Sequence, residues 1–127
     1  MFSPITVPFG AKMLFNTFML KPGVEFDDVE LAVGELCNSV KNAYGGEKGG
    51  FIAGQVFRFS GAIEDGALSA PGTMGDHIAI ITYWRSFEDH ERSHADRLFQ
   101  EKFSALVSLC KENRESGYDM LWQGMPE

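Results

Sequence analysis

Thr82-Tyr83-Trp84-Arg85-Ser86-Phe87-Glu88-Asp89-His90-Glu91-Arg92-Ser93-His94 carries the chain from a strand-like run into a helix-like one through a tight junction. Upstream, His77 to Trp84 (HIAIITYW) is β-branched and aromatic, as a strand requires. Downstream, Ser86 opens a helix as its cap, with Asp89 at the capping-box position. The spacing predicts one long helix ending near Ser116-Gly117, with Leu98, Phe99, Phe103, Leu106, Val107 and Cys110 as its apolar face. Tyr118 to Trp122 is then a short fourth strand.

Working back towards the N-terminus, Phe51 to Ser60 (FIAGQVFRFS) reads as another strand. Residues 61–76 hold four glycines and a proline and are too long for a hairpin turn; they form either a surface loop or a lid over a pocket mouth. Asp27 to Tyr44 is helical, with Val29, Val33, Leu36, Val40 and Tyr44 spaced by three or four. Asp27 is the expected N-cap with Glu30 as its box partner, Phe26 and Leu31 the expected staple, and Gly45-Gly46 the stop. Gly34 costs that helix about 1 kcal/mol relative to Ala, which a close approach to the sheet would explain. Lys12 to Leu20 (KMLFNTFML) is the first strand. One face carries Leu14, Asn16, Phe18 and Leu20, and the other Met13, Phe15, Thr17 and Met19, so both faces call for cover.

The element order is β-α-β-β-α-β. This is an α+β, ferredoxin-like arrangement: an antiparallel four-stranded sheet with two helices on one face. Residues 1–127 form one domain, with 1–11 an apolar N-terminal arm. The face carrying Met13, Phe15 and Met19 is left for a second copy, so the chain is expected to be a homodimer with sheet packed on sheet.

A net charge of −7 without any Lys/Arg cluster excludes a nucleic-acid surface. Eleven Phe residues point to an aromatic core or interface. Cys37 and Cys110 fall in apolar helix-like segments and read as buried free thiols. No apolar run approaches the roughly 20 residues of a membrane span, and Met1 to Ala11 lacks the pattern of a signal peptide, so a cytoplasmic protein is expected.

The element order, Tyr83-Trp84-Arg85-Ser86 at a strand end and the His-bearing second helix together resemble the dimeric α+β barrel superfamily. Within it, the chain is similar to antibiotic biosynthesis monooxygenase-type domains. The resemblance spans Lys12 to Trp122 in element order and is detailed over Ile78 to Phe103. It implies a pocket between sheet and helices, and oxygenase chemistry that often needs no metal or flavin. The pocket there supplies shape, a proton acceptor and hydrogen bonds to a developing oxyanion. Heme-degrading relatives use a first-strand Asn, which Asn16 matches in outline. They also carry a second-helix Trp, where this chain has Ser93-His94-Ala95.

His94 and Asn16 are the expected catalytic pair: an imidazole that titrates near neutrality, and an amide that orients a carbonyl or enolate. Trp84, Phe18, Arg58, His90 and Leu98 are assigned to substrate contact. Trp84 also suits a packed corner, Arg58 an ion pair with Glu64 or Asp65, and His90 an exposed position beside Asp89 and Glu91. Tyr83 points to the face opposite Trp84. The His90/His94 spacing suits a metal, but a third ligand is needed. His77 is a distant candidate and Glu91 a nearby one; with no Cys near and no H-E-x-x-H pattern, no metal is expected. The function expected is a cofactor-independent monooxygenase acting on a hydrophobic aromatic or polyketide-like molecule. The alternatives are a non-enzymatic homodimer that binds a hydrophobic ligand or serves a stress role, and a heme-binding protein using His94.

Overall fold

The computed structural model describes residues 2–69 and 75–127. In chain order the elements are β1 (Lys12–Leu20), α1 (Phe26–Tyr44), a single turn α2 (Gly46–Gly49), β2 (Phe51–Arg58), β3 (Ile63–Glu64), β4 (Ala67–Leu68), β5 (His77–Trp84), α3 (Phe87–Ser93), α4 (Arg97–Val107) and β6 (Cys110–Asp119). The main sheet runs β2-β5-β1-β6 with every neighbour antiparallel. This is the ferredoxin-like arrangement expected from the element order. The loop between β2 and β5 carries a small ribbon, β3 on β4. Residues 70–74, which the lid reading includes, lie outside the described residues.

Strand parity decides the layers. Leu14, Asn16, Phe18 and Leu20 are all buried, and β1 registers them beside Ile78 and Ile80 of β5. Val29, Val33, Leu36 and Val40 of α1 and Phe99 and Leu106 of α4 close over that face as one core. Each such side chain contributes about 1.5–3 kcal/mol when removed from water. The opposite face carries Met13, Phe15, Thr17 and Met19, all half-buried. There Phe15 meets Tyr118 of β6 edge-on at 6.4 Å. Among the described residues no helix is long and apolar enough to cross a membrane.

Four expectations are corrected. First, the long second helix is two. Ser93 Oγ donates back to the His90 carbonyl at 2.6 Å, and Asp96 starts a new helix by accepting the Phe99 N–H at 3.0 Å. The new phase turns Phe99 inward and leaves Leu98 about half exposed. Second, helix gives way to strand at Cys110, not Tyr118, and Met120 to Trp122 carry no strand. Residues 110–119 (CKENRESGYD) are almost all polar, so neither period shows in the sequence. Pairing of Leu20 through Lys12 with Cys110 through Asp119 settles the matter. Cys110 is still a buried free thiol, but on a strand.

Third, α1 begins one residue earlier than expected. Glu25 is its N-cap and donates its backbone N–H to Asp28 Oδ2 at 2.8 Å. Leu31 is exposed and staples nothing. Fourth, Gly34 is exposed with no neighbour within 4 Å of a Cβ position, so no close approach to the sheet accounts for it.

Candidate functional site

The site is assembled by α3 and β6, and α3 is held firmly. Ser86 Oγ accepts the Asp89 N–H at 3.1 Å, as the cap requires. The Asp89 carboxylate does not reach back to Ser86. It is buried and takes Arg85 in a two-pronged grip, Nε to Oδ2 at 2.8 Å and Nη2 to Oδ1 at 3.1 Å, with Arg92 as a further partner. Arg85 also donates to the Glu47 carbonyl at 3.0 Å, and its backbone N–H donates to the Gly50 carbonyl at 2.8 Å. These bonds tie the start of α3 to the α2 turn and its cap Gly50, and so fix where His90 stands.

His90 is buried, with its ring edge-on to Trp84 at 5.3 Å. The expectation of an exposed His90 is thus corrected: neighbours in sequence such as Glu91 face solvent, but the ring turns into the Trp84 corner. His94 caps α3 one turn on and stacks on Phe99, centroids 4.8 Å apart. The two Nε2 atoms stand 3.0 Å apart, so one donates and the other accepts. Glu115 of β6 completes the group. Its Oε2 lies 3.3 Å from His90 Nε2, and its Oε1 lies 3.8 Å from His94 Nε2. Register places Glu115 directly across from Asn16, whose amide favours the charged form of Glu115 and donates to the Ile80 carbonyl at 3.3 Å.

Burial, followed by the neighbouring His90, lowers the pKa of His94, against the opposing pull of Glu115 and Glu91. That favours a neutral imidazole. Burial pushes the Glu115 carboxyl up, but the His90 hydrogen bond, the charges of His90 and His94 and the Asn16 amide together bring it below the ordinary glutamate value. Burial thus favours the neutral form of His94, and its polar neighbours favour the ionised form of Glu115.

An open cleft of about 630 Å³ exposes this group, with Leu14 and Phe87 beside it and Glu91 at the same wall. Gly117 lines it too; the Phe87 ring lies 2.9 Å from where a Cβ would stand, so a larger residue would force the ring aside.

Of the residues assigned from sequence, His90 and His94 line the cleft. Asn16 faces Glu115 across the sheet, with its amide donating to the Ile80 carbonyl. Trp84 is 1% exposed and fills the corner between Phe51 and His90, donating its indole N–H to Thr82 Oγ1 at 2.9 Å. Phe18 is in the core against Phe103. Arg58 pairs with Asp76 at 3.3 Å, not with Glu64 or Asp65, and lies over the Phe26 ring. Leu98 is half exposed because Asp96 resets the helix. Trp84, Phe18, Arg58 and Leu98 are not among the described residues that line the cleft. Glu115 was missed by sequence reasoning. It is one of several charged residues in Lys111 to Ser116, and only the register with Asn16 distinguishes it.

No protein-family model and no curated protein sequence matches the chain. Solved structures do match, across nearly its whole length. A cofactor-independent oxygenase, SnoaB from Streptomyces nogalater, superposes with a TM-score of 0.62 at 14% identity, covering 93% of this chain and 99% of that one. A hydroxynitrile lyase from Passiflora edulis gives 0.64 at 10% identity, covering 94% and 100%. A dimeric ferredoxin-like protein of unknown function from Thermobifida fusca gives 0.63 at 9% identity, covering 93% and 100%. Candidate antibiotic biosynthesis monooxygenases share the architecture as well. The chain therefore has the fold of the antibiotic biosynthesis monooxygenase-like, ferredoxin-like proteins. At these identities the likeness is one of fold, and chemistry has to be argued from the site.

Proposed function

We propose that the chain is a cofactor-independent monooxygenase acting on an electron-rich, hydrophobic aromatic or polyketide-like molecule, and that it works as a sheet-to-sheet homodimer. The observation that carries the reading is the His90–His94–Glu115 group at an open cleft, with ring nitrogens 3.0 Å apart and a carboxylate behind them. His94 takes a proton from an activated C–H or O–H. His90 and Glu115 spread the positive charge that develops, as a carboxylate behind an imidazole does. Asn16 keeps Glu115 in place. The substrate carbanion then reduces oxygen directly: a CH₂ group loses two hydrogens and gains one oxygen atom, and the second oxygen leaves as water. No outside reductant is needed. A cofactor-independent oxygenase and a hydroxynitrile lyase share this fold, and the apolar walls Leu14 and Phe87 favour the larger aromatic substrate. The half-buried face of Met13, Phe15, Thr17 and Met19 supports the dimer.

The test is oxygen uptake by the chelator-treated protein with a panel of electron-rich polyhydroxylated aromatics. The expected result is turnover that falls by about 10²–10⁴ in His94→Ala while circular dichroism is unchanged. Equal rates in the variant refute the role of His94. Saturable ligand binding with no oxygen uptake from any substrate leaves a non-enzymatic binding protein.

A further inference from the structure

We propose that His90, His94 and Glu115 form a binding site for one divalent first-row transition-metal ion, a two-histidine, one-carboxylate set whose remaining coordination positions face the cleft. The three side chains offer one donor atom each, all within 4.8 Å of one another. Donors about 2.1 Å from a shared ion, set 90–109° apart, stand about 3.0–3.4 Å from each other. The two Nε2 atoms at 3.0 Å and the His90–Glu115 pair at 3.3 Å already have that spacing. The 3.8 Å approach of Glu115 to His94 uses the other carboxylate oxygen, Oε1, so the carboxylate must turn to bring one oxygen to an ion shared with both rings.

The surroundings are those a metal site needs. The His90 ring is braced by Trp84, the His94 ring by Phe99, and Glu115 by Asn16, so each donor is oriented by a second contact. The donors come from the last turn and C-cap of α3 and from β6. The cleft leaves the other side of the ion to water or a ligand. Two imidazoles with one carboxylate select zinc, cobalt, nickel, copper or iron over magnesium and calcium, which prefer all-oxygen sets.

Metal and proton relay exclude one another. Both Nε2 lone pairs must turn to the ion, so the proton shared between the rings moves to Nδ1 or leaves. A bound ion therefore removes the base, and such metals act as inhibitors of turnover. That consequence rests on the function proposed above; the binding itself does not.

The experiment titrates chelator-treated protein with Zn²⁺ by calorimetry and with Co²⁺ by visible absorption, using Mg²⁺ as the control. Expected are one ion per chain, ligand-field bands for Co²⁺, no response to Mg²⁺, and affinity weakened about 100-fold or more in His94→Ala and in the near-isosteric Glu115→Gln. Absence of saturable binding overturns the site, as does binding that survives both variants. Oxygen uptake that persists once Zn²⁺ is bound overturns the role of His94 as the base and leaves the metal site standing. Metal binding without oxygen uptake from any substrate overturns the proposed function and likewise leaves the site standing.

Discussion

Gly50→Ala tests what holds α3, and with it His90, in place. Gly50 has φ +77° and ends the α2 turn immediately before β2. A Cβ there would run into Asp89 Oδ2, and would stand 2.5 Å from the Asp89 Cγ and 2.8 Å from its Cβ. Two costs follow. An L-residue in the left-handed region loses about 1–2 kcal/mol. The buried Asp89 carboxylate must also give up its place on Arg85, and a hydrogen bond to a charged group is worth about 1.5–3 kcal/mol. Arg85 is half exposed, which puts that loss towards the lower figure. The sum is about 2.5–5 kcal/mol, a fall in melting temperature of about 10 °C or more for a chain of this size. Two other glycines separate the contributions. Gly46 has φ +72° with no atom within 4 Å of a Cβ, so Gly46→Ala shows the conformational cost alone, about 1–2 kcal/mol. Gly34 is helical, exposed and equally free of neighbours, so Gly34→Ala stabilises by about 0.5–1 kcal/mol. The assay is guanidinium unfolding at one fixed protein concentration, reading the midpoint and slope for all four proteins. A Gly50→Ala loss no larger than that of Gly46→Ala refutes the claim that Asp89 is clamped.

Phe15→Asp places a charge in the outer face of the sheet beside Ile81 and Tyr118, so light scattering should show monomers; an unchanged dimer refutes sheet-to-sheet packing. Burial pushes the Cys37 thiol up to about 11, and burial also raises Cys110 against a smaller effect of Lys21. Both thiols should therefore react slowly with a disulfide reagent at about pH 8 and promptly after unfolding; two fast thiols in the folded protein contradict the burial. In the oxygen assay, Glu115→Gln should lower turnover while keeping the cleft's shape, and a full rate in that variant removes Glu115 from the chemistry.

Legibility followed apolar patterning. Lys12 to Leu20, Phe51 onward and His77 to Trp84 carry enough β-branched and aromatic residues to declare strands, and Val29 to Val40 declares a helix. Ser86 as a cap was equally plain, because an N-cap is a local bond between a hydroxyl and a backbone N–H three residues away. Where local chemistry gave two answers, the sequence misled. Asp89 fits a capping box, yet its carboxylate found two arginines. Lys111 to Ser116 has the composition of an exposed helix, yet the free edge of β1 takes it as a strand.

The sequence by itself determined the β-α-β-β-α-β order, the inward face of β1 and the pairing of His90 with His94, because each depends on neighbours within one or two turns of chain. Tertiary structure decided what those residues meet. Glu115 reaches the histidines only because antiparallel register sets it opposite Asn16, about a hundred positions earlier in the chain. Trp84, Phe18, Arg58 and Leu98 were drawn away by the core, by Asp76 and by the Asp96 cap. Backbone pairing across the sheet is non-local, and no residue type in a polar strand announces its partner.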